Sequence, residues 1–211
     1  TPLASGVIAL MLEANANLTW RDVQHILVHS SRKNDPNDNS WNVNGAGHDV
    51  SHKYGFGAVD AGHAVAITEN WTLVNQAINV TSNTRTIDTD IPDNSAQGVS
   101  DTVTINDGLK IEHVEVYVDI DHVYRGDLVI TLTSPSGTES TLAQKQSDSN
   151  NNYRNWMFST VHNWDENSAG NWTLKVEDNG NGDTGTWNDW ELVIHGVPMV
   201  LDSDGDGLTN D

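Results

Sequence analysis

The sequence predicts a mixed fold: a helical stretch over residues 1–72, an all-β sandwich over 73–197 and a short acidic tail over 198–211. Three observations carry this reading. The chain opens on small and large apolar residues at helical spacing, and its middle alternates apolar and polar residues between turn clusters. Its 30 acidic residues against 10 basic ones leave a formal net charge of -20 in 211 residues. That length suits one or two domains, and 36% apolar content with eight Trp supports a packed core rather than disorder. The charge argues against nucleic acid as a partner, because phosphates would be repelled, and favours cations. No apolar run reaches membrane-spanning length, and the absence of cysteine leaves neither disulfides nor thiolate metal sites.

The first helix is expected over Thr1 to Asn15. Small residues at Ala4, Gly6, Ala9 and Ala14 interleave with Leu3, Val7, Ile8, Leu10, Met11 and Leu12, leaving almost no polar face. Burial on all sides is therefore predicted. The run Asn15 to Leu18 breaks this helix. Thr19 then serves as N-cap for a second helix from Trp20 to Ser30, with Asp22 in the first turn where the helix dipole favours a carboxylate. Asn34 to Asn39 is a turn-forming loop. The glycines of the segments Trp41 to Gly47 and Val50 to Gly57 suggest close backbone approach. Val59 to Trp71 returns to helical spacing.

From Leu73 the pattern changes to short strands: Ile87 to Pro92, Val99 to Ile105, Ile111 to Ile120, Leu128 to Thr133, Trp172 to Val176 and Trp190 to Ile194. Alternation is clear from Val114 to Ile120 and from Leu128 to Leu132. Many short strands at turn-marked intervals argue for an antiparallel sandwich or jelly roll able to fold alone.

The opening run, together with Leu18-Thr19-Trp20-Arg21-Asp22-Val23-Gln24-His25, closely resembles the segment that follows the catalytic serine in kexin/furin-like subtilisin-type serine proteases. In that family a Gly-Thr-Ser-x-x motif precedes it, which would place the nucleophile three residues before Thr1. The β segments carry a second resemblance. Ile111 to Val114, His122 to Leu128, Ser134 to Thr138, Asn155 to Phe158, Trp164 to Glu166, Gly170 to Leu174, Gly182 to Thr186 and Trp190 to Leu192 are similar, in order, to the P domain of these convertases. Together the resemblances cover residues 1 to 197. They imply a carboxyl-terminal helical remnant of a subtilisin-like α/β domain followed by a jelly-roll P domain.

The same resemblance implies a function. The parent would be a secreted or extracellular, calcium-dependent endopeptidase, periplasmic or at the cell surface in some hosts. It would hydrolyse peptide bonds after basic residues through an acyl-enzyme, and the P domain would stabilise the catalytic domain. Its partners would be the amino-terminal part of the same protease and protein or peptide substrates. Subtilisin-type catalysis runs in the chain order Asp, His, Ser, so a chain beginning after the serine holds none of the three. No catalytic residue is assigned, and the chain alone is expected to be inactive. The competing class is a non-enzymatic secreted sandwich that binds carbohydrate or protein.

The clearest local motif is the tail. Asp202, Asp204 and Asp206 stand at positions 1, 3 and 5 of a calcium-loop pattern, with Gly207 next, the carbonyl of Leu208 at position 7 and Asn210 at position 9. The position-12 acid would fall beyond Asp211, so calcium binding is expected of the full-length parent and a flexible acidic linker of this chain alone. A second calcium hypothesis pairs Asp119 and Asp121, on one strand face, with Asp178 and Asp183 in a later turn; solvated turn residues are the alternative. His25 and His29 are four apart on a helix, a spacing that suits zinc, yet no third ligand or general base accompanies them. Adjacent Ser30 and His29 diverge on a helix and make no dyad. Arg125-Gly126-Asp127 reads as a structural turn rather than an integrin motif. Trp156, Trp164, Trp172, Trp187 and Trp190 read as packing residues rather than a sugar platform. Asn17, Asn70, Asn79 and Asn171 begin glycosylation sequons that matter only in a eukaryotic secretory host.

Overall fold

The computed structural model describes residues 2–199; the calcium-loop residues Asp202, Asp204, Asp206, Leu208 and Asn210 lie outside the described residues. The chain forms two compact units, divided between Gln76 and Ala77.

The first unit contains helix α1 (Pro2–Ala14), helix α2 (Trp20–Ser30), a short hairpin of β1 (Asn42–Val43) and β2 (Asp49–Val50), and helix α3 (Ala61–Thr68). Its core joins Met11, Leu18, Val23, Ile26 and Ala64, with Val7, Ile8, Leu27, Ile67 and Trp71 packed around them. The all-round burial expected of α1 within a larger domain is not reached among the described residues, where apolar faces of the helix stay exposed. Met11 alone in that helix is fully buried, whereas Leu3 is 86% and Leu10 48% exposed. Helix α3 packs against α1, while Leu3 and Leu10 on one side of Met11 and Leu12 on the other meet solvent. A close approach does occur at Gly57 (φ +121°), where a Cβ would fall 2.3 Å from the carbonyl oxygen of Arg32; Arg32 and Ala58 bridge there.

Asp22 fixes the start of α2. Thr19 caps the helix in a reciprocal capping box, and the buried Asp22 carboxylate accepts the backbone N–H of Thr19 at 2.7 Å. Its other oxygen accepts Trp71 Nε1–H at 2.9 Å and the Val74 N–H at 2.8 Å. Burial alone would raise this carboxyl, but the donors from Thr19, Val74 and Trp71 outweigh it and hold the group below the usual carboxylate range.

The second unit is a sandwich of antiparallel sheets. Its strands are β3 (Ile78–Thr81), β4 (Arg85–Ile91), β5 (Ser95–Ile105), β6 (Leu109–His122), β7 (Leu128–Thr133), β8 (Glu139–Ala143), β9 (Tyr153–Thr160), β10 (Gly170–Asp178) and β11 (Gly185–Pro198). One sheet has the order β5-β10-β7-β8. The other runs β3-β11-β6-β9, with β4 also pairing β11. Period-two alternation sorts the faces: Val114, Val116, Val118 and Ile120 of β6 point inward, as do Leu128, Ile130 and Leu132 of β7 and Trp172, Leu174 and Val176 of β10. On β11 a register shift between Trp187 and Asp189 lets Trp187 and Trp190, three residues apart, both face the core. Trp172, Trp187 and Trp190 are fully buried and Trp164 nearly so, which leaves no flat aromatic platform among them. Trp156 is the exposed member of the set.

Asp101 closes an edge between the sheets. It stands on β5, yet its carboxylate accepts a bidentate pair from Arg85 of β4, Nε at 2.5 Å and an Nη at 2.8 Å, and Trp190 Nε1–H of β11 at 2.8 Å. The Arg85 guanidinium, aided by Trp190 and opposed by burial, holds this carboxyl below its ordinary range.

These two carboxylates make stability depend on pH. A carboxyl whose folded pKa is depressed stabilises the native state fully above its unfolded value, about 4, and loses that contribution as pH falls through the folded value. Asp22 and Asp101 therefore place the acid limb of stability below about pH 4 in each unit. Asp101→Asn is expected to flatten that limb for the sandwich and Asp22→Asn for the helical unit, as followed by denaturant midpoints at stepped pH. An unchanged limb in both variants would contradict these assignments.

Candidate functional site at the acidic end of the sandwich

The candidate carboxylates Asp119, Asp121 and Asp178 lie near strand ends, with Asp183 in the connection between β10 and β11. Asp121, with Asp90 and Asp93, lines an open cleft that His122, Tyr124 and the segment 149–152 complete. Asp119 and Asp121 share the outer face of β6, as period two requires. Arg154, on β9, bonds both: one Nη reaches Asp119 Oδ1 at 2.6 Å and the other reaches Asp121. Asn188 Nδ2 also donates to both, at 2.8 and 3.0 Å, and the Asn155 N–H adds a bond to Asp119 at 3.3 Å. Burial raises the Asp119 carboxyl, but Asn188, Arg154 and Asn155 together leave it below its ordinary range. Asp189, which pairs with Asp119 across the strands, is raised by burial and by the charges of Asp119 and Asp88.

Asp178 has a different partner. His122 and Asp178 are both fully buried and meet across the sandwich, Nε2 to Oδ2 at 3.2 Å. On its other side His122 Nδ1 lies 2.9 Å from the Tyr124 carbonyl oxygen and 3.2 Å from the Tyr124 N–H, so the ring is held between this backbone and Asp178. Asp178 Oδ1 accepts the Gly180 N–H at 2.8 Å. The four carboxylates therefore do not form one cluster: among the described residues, no three of them bring ligand oxygens together at metal-binding separations. Calcium needs six to eight oxygens around it, whereas Asp119 and Asp121 face a guanidinium and an amide N–H group. This donor set does not fit the ion.

Arg125-Gly126-Asp127 forms a 3₁₀ turn. Gly126 is buried there, and a Cβ on it would fall 2.5 Å from the carbonyl oxygens of Gln146 and Asp148. Arg125 bonds Asp148 at 2.8 Å and lies over the Trp156 ring at 4.8 Å. The tripeptide is thus built into the fold. In the helical unit the His25 and His29 rings stack at 6.3 Å, both beside Trp71, and His29 meets His48 edge-on at 5.1 Å. Ser30 Oγ is buried with no hydrogen-bond partner, so it makes no dyad with His29. Arg154 and Asn188 carry no sequence signal as partners of the acidic pair, because neither alternation nor spacing reveals what faces Asp119.

Residues 1–57 match the family described as "Subtilase family", and residues 111–194 match "Proprotein convertase P-domain". The chain is similar to the proprotein convertases across both segments. Human proprotein convertase subtilisin/kexin type 5 is 42% identical over 94% of this chain and 11% of its own length. Human furin is 41% identical over 97% of the chain and 27% of furin, and Xenopus laevis furin-1 is 39% identical over 99% and 28%. The chain thus spans about an eighth to a quarter of the curated relatives it matches. Among solved structures, a serine protease of Aeromonas sobria in complex with its chaperone superposes with a TM-score of 0.85 at 23% identity, covering 94% of this chain and 43% of that one. That likeness concerns the fold. Among the described residues, no helix is long and apolar enough to cross a membrane.

Proposed function

We propose that this chain is part of a secreted, calcium-dependent serine endopeptidase that cleaves after basic residues, and that its sandwich stabilises the catalytic domain. The ordered match of a subtilase segment and a convertase P-domain segment within one chain is the observation that supports this most directly. The exposed leucines of α1 are consistent with it, since Leu3 and Leu10 on one side and Leu12 on another are side chains that further protein would cover. The partner would then be the remainder of the same protease, with protein or peptide substrates bound by that remainder.

None of the described residues is assigned a part in bond cleavage. The chain's contribution is to fold and to support: α1 and α2 supply packing surface, and the sandwich supplies a self-contained core. Calcium would be held by the loop of Asp202, Asp204, Asp206, Leu208 and Asn210, whose alternating oxygens and glycine match a calcium-loop spacing.

The test uses the full-length gene product. It is expected to hydrolyse a fluorogenic peptide with a basic residue before the scissile bond, whereas the 211-residue chain is expected to have no activity. Deleting 77–199 should abolish soluble active enzyme; retention of full yield and activity would refute the supporting role. Calcium should raise the melting temperature of the full-length protein, because a ligand bound to the native state stabilises it. Asp204→Asn with Asp206→Asn should remove that rise.

A further inference from the structure

We propose that His113, Glu115 and His195 form a binding site for a zinc-like divalent metal ion on the outer face of the five-stranded sheet. Strand pairing creates the arrangement. His113 of β6 and His195 of β11 are directly opposed partners, and Glu115, two residues along β6, shares their face. The two imidazoles stack almost parallel, 4.2 Å apart at 7°. Glu115 reaches toward both rings: one oxygen lies 3.8 Å from His113 Nε2 and the other 3.4 Å from His195 Nε2.

One ligand atom from each residue lies within 4.8 Å of the others. Zinc takes nitrogen ligands at about 2.0–2.1 Å in a tetrahedron, which sets ligand-to-ligand separations near roughly 3.4 Å. Because imidazole lone pairs lie in the ring plane, binding requires the two rings to rotate out of their parallel stack so that both nitrogens aim at one ion. Two imidazoles and a carboxylate are a donor set that suits zinc better than calcium or magnesium, and three protein ligands leave a fourth position for water.

Two features fit a ligand role better than a packing role. His195 Nε2 is shielded from solvent and makes no hydrogen bond, while a Glu115 oxygen stands 3.4 Å from it, so nitrogen and carboxylate converge with no donor between them. The Tyr117 hydroxyl donates to Glu115 at 3.0 Å, the outer contact that orients a ligating carboxylate. All three side chains remain partly open to solvent, so an ion can arrive.

The experiment is calorimetric titration of the chelator-treated 211-residue chain with zinc, alongside visible absorption after cobalt(II) substitution. One high-affinity ion is expected. His113→Gln and His195→Gln should each weaken it at least about tenfold and remove the cobalt spectrum, and Tyr117→Phe should weaken it less, since outer contacts contribute about 10-fold or more to affinity. His25→Gln combined with His29→Gln should leave this binding unchanged. If a histidine variant loses its far-ultraviolet dichroism, Glu115→Gln, which keeps the shape of the side chain, replaces it. Absence of zinc binding in the parent chain, or equal affinity in the His113→Gln/His195→Gln double variant, overturns the proposal.

Discussion

Trp172→Ala is expected to destabilise the sandwich by about 3–5 kcal/mol, the cost of removing a large aromatic from a closed core. Trp172 is fully buried on β10, packed among the inward residues of both sheets, and its Nε1–H bonds the carbonyl of Ser168 at 2.9 Å. The substitution creates a cavity and orphans that buried carbonyl together. Typical domains are stable by only about 5–15 kcal/mol, so the variant should unfold at a much lower urea concentration and approach complete unfolding at body temperature. Trp156→Ala is the control. Trp156 is 40% exposed and its best-defined contact is the Arg125 guanidinium, a cation–π interaction worth about 0.5–1 kcal/mol at such a site. Equal losses in the two variants would overturn this division between core and surface.

His122→Ala is expected to cost about 3–5 kcal/mol because it strands a carboxylate with no access to water. Asp178 keeps only the Gly180 N–H when the imidazole is gone. Replacing both partners by apolar residues removes the uncompensated charge. His122→Leu combined with Asp178→Leu should therefore be more stable than His122→Ala. Thermal melts of the single and double variants measure the difference. A double variant no better than the single would mean that the pair acts chiefly through packing.

Most of the elements are legible in the sequence, and the misses have physical causes. Helix α2 is legible because Thr19 and Asp22 mark its first turn, and β7 because Leu128, Ile130 and Leu132 alternate with polar residues. Strand β9 is not, since four successive residues, Arg154 to Met157, are exposed and leave no period-two signal. Strands β3 and β8 are short, polar and at sheet edges, positions where burial writes little into sequence. Helix α1 is legible as a helix meant for burial in a larger domain, but which of its faces stay exposed depends on what surrounds it, and among the described residues Leu3, Leu10 and Leu12 are left open.

The acidic end is less legible than the fold. That Asp119 and Asp121 share a face follows from strand geometry alone. That Arg154 stands over them depends on the missed strand β9, and that His122 faces Asp178 depends on two strands in different sheets meeting across the sandwich. Long-range pairing of this kind leaves no trace in local spacing.

Strand β11 also sets an order of events in time. It is the last of the described strands, and it sits between β6 on one edge and β3 and β4 on the other, so the five-stranded sheet has no middle until it emerges. Ile78 to Thr81 pair with residues 193–196, and translation at about 5–20 residues per second makes β3 wait on the order of ten seconds for its partner. During that interval Val114, Val116 and Val118 of β6 lack their neighbouring strand, and the nascent chain presents an unpaired apolar ribbon. Such late closure favours slow, non-local folding and makes the growing chain a client for chaperones up to the synthesis of this strand.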